Sequence, residues 1–164
     1  MTQERVIRKM LVGFAERLYS MEPCVVNENA SLVQMVKAVS ARPGPQVVAV
    51  VDSERRLKGT ISRLALAEEV LVRVMAEELL FEVADARRAM VFAHSSRAQL
   101  AKEIMGPPAS VRRENTLREA FAKMHRHHLD GLPIVEEDGR VVGYLDVSAL
   151  LLAWLSTTLG RESS

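Results

Sequence analysis

The sequence predicts an α+β (α/β) fold in which two similar strand–helix–strand–strand–helix units follow an extra N-terminal helix and are joined by a long helix. Three observations lead to this prediction. A helix-start pattern occurs twice, at Leu32 and again at Leu117. Each copy is followed by two apolar runs that flank an acidic turn. Hydrophobic residues make up 48% of the 164 residues, which suffices for a packed core.

The first predicted element is a helix over residues 5–19. Ile7, Leu11, Phe14 and Leu18 recur at helical spacing and form one apolar stripe, with charged residues elsewhere. We expect this helix and the long helix between the units to contact other subunits or partners, because they hold more apolar surface than the units need.

The next helix of each unit begins with a capping box. Ser31 is followed three positions later by Gln34, and Thr116 by Glu119. In this motif the hydroxyl group and the Gln or Glu side chain each accept a free backbone N–H at the start of a helix. A helical apolar pattern follows in both copies, which predicts two equivalent helices.

The two strands after this helix also occur twice. Residues 46–66 and 130–150 both read as strand, acidic turn, strand and helix start. Gly59 corresponds to Gly143 at an offset of 84 residues.

The helices that follow the strands differ in length. Ser62 and Asp146 are predicted as their N-caps. Residues 63–90 contain neither Pro nor Gly and predict one long helix, with a possible break at 83–85. Residues 147–159 predict a C-terminal helix that is apolar on most faces, and a second chain is expected to bury part of it.

Residues 95–96 predict a loop, and residues 97–105 a short helix that ends before Pro107 and Pro108. The chain is thus divided into an N-terminal helix (1–20), a first unit with its extended helix (21–92), a second unit (93–160) and a disordered tail (161–164).

Charge and composition argue against several functions. The net charge is +1, which gives no basic surface for nucleic acid. Cys24 is the single cysteine, so no internal disulfide forms and a cytoplasmic location is expected. No signal peptide is recognised, and the longest apolar run, 149–155, is too short for membrane insertion.

The second copy, TLREAFAKMHRHHLDGLPIVEEDGRVVGYLDVSALL, resembles the cystathionine β-synthase (CBS) domain. The first copy is similar to it over most of its length but has Val47-Val48-Ala49 where the second has Gly131-Leu132-Pro133. The resemblance covers residues 21–155 and implies a tandem CBS domain pair, a Bateman module, in a small stand-alone bacterial-type protein. Such modules commonly form homodimers and bind adenosine-type ligands between the repeats; the resemblance implies a regulatory protein and not an enzyme.

In nucleotide-binding members, the last strand and helix read Gly-x-x-Ser/Thr-x-x-Asp, where the hydroxyl group and helix-start amides hold a phosphate and the Asp binds ribose. Ser62 matches the hydroxyl position, but Ala65 and Ala149 replace the Asp in both copies. Asp146 places a carboxylate where the phosphate would bind, which is unfavourable. If either copy holds an anion, Ser62 and Arg63 of the first copy are the expected position; the alternative, which the sequence favours, is that Ser62 is only a cap and Arg63 a solvated side chain.

The resemblance also implicates Val111, Arg112 and Arg113 on the short strand that borders the cleft, together with Leu132 and Pro133. The two arginines suit phosphate binding; the alternative is exposed loop charge.

The segment MHRHHLD places His125, His127 and His128 close together in sequence. His125 and His128 would share one helix face, which suits a divalent metal. The alternative, which the sequence favours, is a solvated helix end. No metal site and no set of catalytic residues is predicted.

Two functions remain in view. The first is a non-catalytic module that senses a small ligand, such as AMP, ATP or another adenosyl compound, and regulates an unknown effector protein as a homodimer. The second is an interaction or dimerisation scaffold with the same fold that has lost nucleotide binding, as the two alanines suggest.

Overall fold

The structure, a computed structural model, describes residues 3–74 and 100–159. The structure contains both helices and strands, which confirms the predicted α+β fold class. The helices are α1 (Gln3–Lys9), α2 (Val12–Leu18), α3 (Leu32–Ala41), α4 (Arg63–Val74), α5 (Ala101–Ile104), α6 (Leu117–His127) and α7 (Val147–Leu159). The strands are β1 (Cys24–Asn27), β2 (Val47–Val51), β3 (Leu57–Ser62), β4 (Gly131–Val135) and β5 (Val141–Asp146).

The first unit contains a three-stranded sheet in the order β1–β2–β3. β1 runs parallel to β2, and β2 runs antiparallel to β3. All five residues of β2 are buried, as its unbroken run of valine and alanine requires. Val48 and Val50 pack against Met35 of α3 and Leu66 of α4, while Ala49 and its neighbours face the second unit.

The second unit has the same plan, but its first strand is reduced to one residue. β4 and β5 form an antiparallel pair. Val111 pairs with β4 in parallel: its N–H donates to the Pro133 carbonyl oxygen (3.1 Å), and its own carbonyl oxygen accepts from the Val135 N–H (2.9 Å). The single bridge takes the place that β1 occupies in the first unit.

Both predicted capping boxes are formed. The Ser31 hydroxyl accepts the Gln34 N–H (3.3 Å), and the Gln34 side chain accepts the Ser31 N–H (2.8 Å). In the second unit the Thr116 hydroxyl accepts the Glu119 N–H (3.3 Å), and the Glu119 carboxylate accepts the Thr116 N–H (2.7 Å). These bonds satisfy backbone N–H groups that have no partner within the helix.

The two units meet at their hairpin turns through hydrogen bonds that obey the 84-residue offset. The Leu57 N–H donates to the Gly139 carbonyl oxygen (3.0 Å), and the Val141 N–H donates to the Arg55 carbonyl oxygen (3.1 Å). Leu57 corresponds to Val141, and Arg55 corresponds to Gly139. Arg55 and Gly139 also share a positive φ, 66° and 85°. The turns are therefore related by a pseudo-two-fold axis that passes between them.

The segment before the first unit docks on the second unit. The Val12 N–H donates to the Asn115 carbonyl oxygen (2.8 Å), and the Gly13 N–H donates to the Arg113 carbonyl oxygen (3.1 Å). Val12 and Ala15 are completely buried and belong to the core of the second unit. Helix α2 is thus part of that core and not an appendage.

The beginning of the second unit, residues 100–106, docks on the first unit in the same way. The Ala101 N–H donates to the Ala30 carbonyl oxygen (2.9 Å), and Gly106 and Thr60 exchange two backbone hydrogen bonds. Ala101 is completely buried in the core of the first unit. Each unit therefore completes its core with residues that lie outside that unit in the chain.

The prediction of one helix over residues 5–19 is wrong, because the chain breaks between α1 and α2. Leu11 is extended (φ −87°, ψ 150°), and the Met10 carbonyl oxygen accepts the Leu117 N–H (2.8 Å). The predicted apolar stripe is also misplaced: Leu11 and Phe14 are exposed, while Val12 is buried. Backbone pairing with the second unit outweighs the local helical pattern.

The other helix predictions are confirmed where the structure describes them. Helix α7 spans the predicted residues 147–159, and α5 lies within the predicted 97–105. Helix α4 forms the first part of the predicted helix 63–90. The rest of that helix, its break near 83–85 and the loop at 95–96 lie outside the described residues.

The boundaries predicted between the units and the tail at 161–164 are not tested by the described residues and stay predictions. In the described part of the chain, no helix is long and apolar enough to cross a membrane.

Tyr144 packs closely against Gly131 in the second unit. These residues lie on adjacent strands, and a Cβ atom added at Gly131 would overlap the Tyr144 hydroxyl group and meet the Leu145 carbonyl oxygen at 2.9 Å. Tyr144 is completely buried. Only glycine fits at position 131.

We expect Gly131→Ala to lower the free energy of unfolding by about 1–3 kcal/mol, because the added methyl group overpacks a rigid site. Gly106→Ala is the matched control: its Cβ atom would lie 3.7 Å from the Thr60 carbonyl oxygen, an ordinary van der Waals contact, and the change should stay below about 1 kcal/mol. Urea denaturation measures both. Equal effects of the two substitutions would contradict the conclusion that Tyr144 leaves no space for a side chain at position 131.

The second capping box should make stability depend on pH. Hydrogen bonds from the Thr116 N–H and hydroxyl hold the pKa of Glu119 below its ordinary value of 4.5. A group whose pKa is lowered by folding stabilises the protein above its unfolded-state pKa, and this contribution is lost as pH falls through the folded-state pKa. Glu119→Gln keeps an acceptor, as Gln34 does in the first unit, but does not titrate.

We therefore expect wild type to be more stable than Glu119→Gln at pH 7, and the difference to shrink as pH falls below the ordinary pKa of 4.5 and to vanish once pH is below the lowered folded-state pKa. Urea midpoints of both proteins at a series of pH values test this. A difference that stays constant down to pH 3 would show that the Glu119 charge has no role in the cap.

Candidate functional site

The two sheets meet on what we call the inter-repeat face. Ala49, Val51 and Val141 form its buried apolar centre. At its two ends lie equivalent helix starts: Ser62, which pairs with Val47, and Asp146, which pairs with Gly131. The predicted anion position therefore occurs twice in the fold, once in each unit, with different chemistry.

In the first unit, Ser62 caps helix α4. Its hydroxyl oxygen accepts the Ala65 N–H (3.1 Å), and the residue is half-buried, so the predicted N-cap is confirmed. The hydroxyl hydrogen remains available as a donor to an anion at the start of the helix, where the helix dipole also favours negative charge. Ala65, also half-buried, offers no carboxylate.

Arg63 faces away from this helix start. Its guanidinium donates hydrogen bonds to the carbonyl oxygens of Pro45, Arg42 and Val39, at the C-terminal end of α3. A cation is favourable here, because the negative end of the helix dipole lies at the C-terminus of α3. The positive charge next to Ser62 is thus engaged in holding α3 against α4.

In the second unit, Asp146 caps helix α7. Its Oδ1 atom accepts the Ser148 N–H (2.7 Å), which confirms the predicted N-cap, and the residue is only 6% exposed. A buried carboxylate at this position repels a phosphate group. Ala149 is completely buried in the core and cannot serve as a ribose anchor.

Tyr144 fills the second unit's side of the inter-repeat face. Its hydroxyl oxygen accepts the Gln46 N–H of the first unit (3.2 Å), and burial raises the pKa of its phenol. Thr60 is the equivalent residue in the first unit, and its small side chain donates to the Pro107 carbonyl oxygen (3.1 Å). A large ring therefore occupies one half of the face and a small hydroxyl group the other.

The sequence reasoning missed Tyr144. The available signal is the exchange of Thr60 for an aromatic residue in an otherwise matching Gly-x-x-Ser/Asp pattern, with glycine at position 131 on the adjacent strand. A ring of this size needs a neighbour without a side chain.

Other predicted site residues are buried in the second unit or paired with helix α2. Val111 and Leu132 are completely buried in the core of the second unit, and Pro133 is buried on β4. Arg113 forms a bidentate ion pair with Glu16 of α2 (2.7 and 3.0 Å). Their role in ligand binding stays a prediction.

Arg112 is exposed. Its Nε atom lies 3.6 Å from a carboxylate oxygen of Glu114, and its backbone N–H donates to the Asn115 side chain (2.8 Å). Its contribution to a ligand site also stays a prediction.

The histidine cluster lies at the end of helix α6. His128 adopts the left-handed conformation (φ 53°) and ends the helix, while His125 stacks against Phe121 with 6.5 Å between ring centroids. Within residues 3–74 and 100–159, no three His, Cys, Asp or Glu side chains come together as a group that could hold a metal ion.

Cys24 lies on β1 and is buried. Burial raises the pKa of its thiol above the ordinary value, so the thiolate needed for nucleophilic or metal chemistry is disfavoured. It packs with the core of the first unit.

Comparisons with known proteins agree with this architecture. Residues 101–156 match the family model of the CBS domain. A CBS domain-containing protein from Thermotoga maritima superposes with a TM-score of 0.70 and 26% identity, over 88% of this chain and 94% of that one. No curated protein sequence matches significantly.

Two further crystal structures share the fold. CBSX2 in complex with AMP has a TM-score of 0.66 and 19% identity, over 90% of this chain and 97% of that one. The CBS domain pair of protein MJ0100, in complex with 5′-methylthioadenosine and S-adenosylmethionine, has a TM-score of 0.62 and 17% identity, over 88% and 99%. The second unit therefore matches the CBS domain in sequence, and the whole chain shares the fold of the CBS-domain pairs, or Bateman modules.

Proposed function

We propose that this protein is a non-catalytic regulatory module that senses a small adenosine-type ligand and acts on a partner protein. Two proteins of the same fold were crystallised with AMP or with S-adenosylmethionine and 5′-methylthioadenosine. The observation that carries the proposal is the start of helix α4, where Ser62 presents a hydroxyl group and no carboxylate at the positive end of the helix dipole.

The proposed ligand occupies the first unit only. In the second unit, the Tyr144 ring fills the inter-repeat face and Asp146 places a carboxylate at the helix start. Because Ala65 cannot bind ribose hydroxyls, the ligand depends on its phosphate or other anionic group. We therefore expect AMP or ATP to bind better than adenosine.

A reciprocal exchange of the two equivalent caps tests this. Ser62→Asp should abolish stabilisation by AMP or ATP, because it places a carboxylate at the phosphate position while keeping a good cap. Asp146→Ser should leave ligand binding in the first unit unchanged. Thermal unfolding with millimolar AMP, ATP, adenosine and S-adenosylmethionine measures the effect, since a ligand at 100 times its Kd stabilises by about 2.7 kcal/mol.

If both variants keep the nucleotide response, the ligand binds elsewhere and the proposed position is wrong. If wild type shows no response to any of the four compounds, the second function stands instead: an interaction or dimerisation scaffold that has lost nucleotide binding. Ala65 and Ala149 at the two ribose positions, together with the buried Tyr144, favour that alternative.

We also propose a homodimer formed by the helical surfaces of both units. Several large apolar side chains are exposed on α3, α4, α6 and α7, and Leu64 and Leu151 are 70% and 67% exposed. A patch of this kind on a folded chain is typical of a protein interface. The exposed residues are Val33, Leu64, Leu71, Phe121, Leu151 and Trp154.

We expect Leu151→Glu to convert a dimer into a monomer of 18.2 kDa, because a charge in the apolar centre of a symmetric interface is placed there twice. Leu18→Glu is the matched control, since Leu18 is exposed on α2, outside these helices. Light scattering after gel filtration measures the mass. A monomeric wild type at tens of micromolar would refute the dimer.

A further inference from the structure

A second concave site lies at the N-terminal end of the molecule. It is a groove of about 610 Å³ between helices α1 and α2 and the turn that contains Arg113 and Glu114. A volume of this size is typical of small-molecule sites. The groove is distant in sequence from Ser62 and shares no lining residue with the inter-repeat face described above.

The floor of this N-terminal groove is apolar. Val6, Met10, Leu11 and Phe14 line it, and Leu11 and Phe14 are 46% and 38% exposed. Leu11 is held in place by the backbone pairing that breaks the helix and docks α2 on the second unit. The apolar surface is thus presented by a fixed backbone and not by a mobile helix end.

The walls of the groove are cationic. Arg5, Lys9 and Arg17 line it together with Arg113, and Glu114 is the acidic residue among the lining side chains. The whole chain is nearly neutral, with 22 basic and 21 acidic residues, so this excess of positive charge is local.

Three of these cations have no carboxylate partner in the described part of the chain. Arg113 is engaged by Glu16, whereas Arg5, Lys9 and Arg17 form no ion pair with a described residue. Arg17 lies over the Phe14 ring, 5.9 Å from its centroid, which places a cation directly above the apolar floor.

We propose that the N-terminal groove binds a small amphipathic anion, namely an aliphatic or aromatic body that carries one carboxylate or phosphate group. The apolar body lies on Phe14 and Leu11, and the anionic head is held by Arg5, Lys9 and Arg17. Both parts are required, because an exposed apolar groove or a few exposed cations alone gives weak binding. This site is independent of the proposed nucleotide position.

Calorimetric titration of the full chain with decanoate tests the proposal. Decanoate should bind saturably with one site per chain. Acetate, which has the charge without the chain, and 1-decanol, which has the chain without the charge, should each bind at least about tenfold more weakly. The probes are used below the concentration at which decanoate forms micelles.

A triple variant Arg5→Gln, Lys9→Gln and Arg17→Gln should weaken decanoate binding about tenfold, as expected for the loss of three exposed charge contacts. Because all three residues are exposed, the fold should be retained, and an unchanged urea midpoint confirms this. The matched control replaces three exposed cations outside the groove, Lys58, Arg118 and Arg126, with Gln and should leave binding unchanged.

Three results would overturn the proposal: no saturable decanoate binding, equal binding of decanoate and 1-decanol, or equal weakening in the groove variant and the control. Sedimentation with vesicles of anionic phospholipid separates a soluble ligand from a membrane surface. Binding to vesicles without binding to decanoate in solution would also refute a small-molecule site. Failure of the nucleotide experiment leaves these outcomes unaffected.

Discussion

The structure depends on the backbone pairing between the two units. Leu57 bonds to Gly139, and Val141 bonds to Arg55, so that each hairpin turn supplies the hydrogen-bond partners that the other needs. These two bonds add to the ones that close each turn within its own unit, such as those between Asp52 and Arg56 and between Glu136 and Arg140. The same reciprocity holds for α2 and α5, each of which is built into the core of the opposite unit. The core of each unit is therefore completed by residues that lie outside that unit in the chain.

Although the two units are related by pseudo-two-fold symmetry, the two halves of the inter-repeat face differ at two equivalent positions. Where the first unit has Thr60 and Ser62, the second has Tyr144 and Asp146. The aromatic ring occupies volume, and the carboxylate adds charge, so both changes act against an anion in the second unit. Gly131 accommodates the ring, which shows that the substitution at position 144 is tolerated through a specific neighbour.

Much of the fold could be predicted because it follows local rules. Ser31 and Thr116 define helix starts, since capping involves residues three positions apart, and the offset between Gly59 and Gly143 reveals the repeat. The break at Leu11 could not be predicted, because it results from pairing with Thr116, more than 100 residues away. A periodic pattern carries no information about such a distant partner.

The candidate site was less accessible to prediction for the same reason. Ser62 and Asp146 could be identified as caps from sequence, because a cap acts within its own helix turn. The environment of Arg63 could not, because its partners are carbonyl groups at the end of α3, some twenty residues earlier. An arginine beside a helix start suggested a phosphate ligand. In the folded chain, the Arg63 guanidinium instead donates hydrogen bonds to backbone carbonyl oxygens.

The docking of α2 on the second unit has a consequence for biosynthesis. Val12 and Ala15 are translated more than 100 residues before the surface that buries them, which includes Leu117, Leu145 and Ala149. At about 5–20 residues per second, the apolar face of α2 therefore stays uncovered for at least about 5–20 s. During this interval it is a surface that a chaperone could bind.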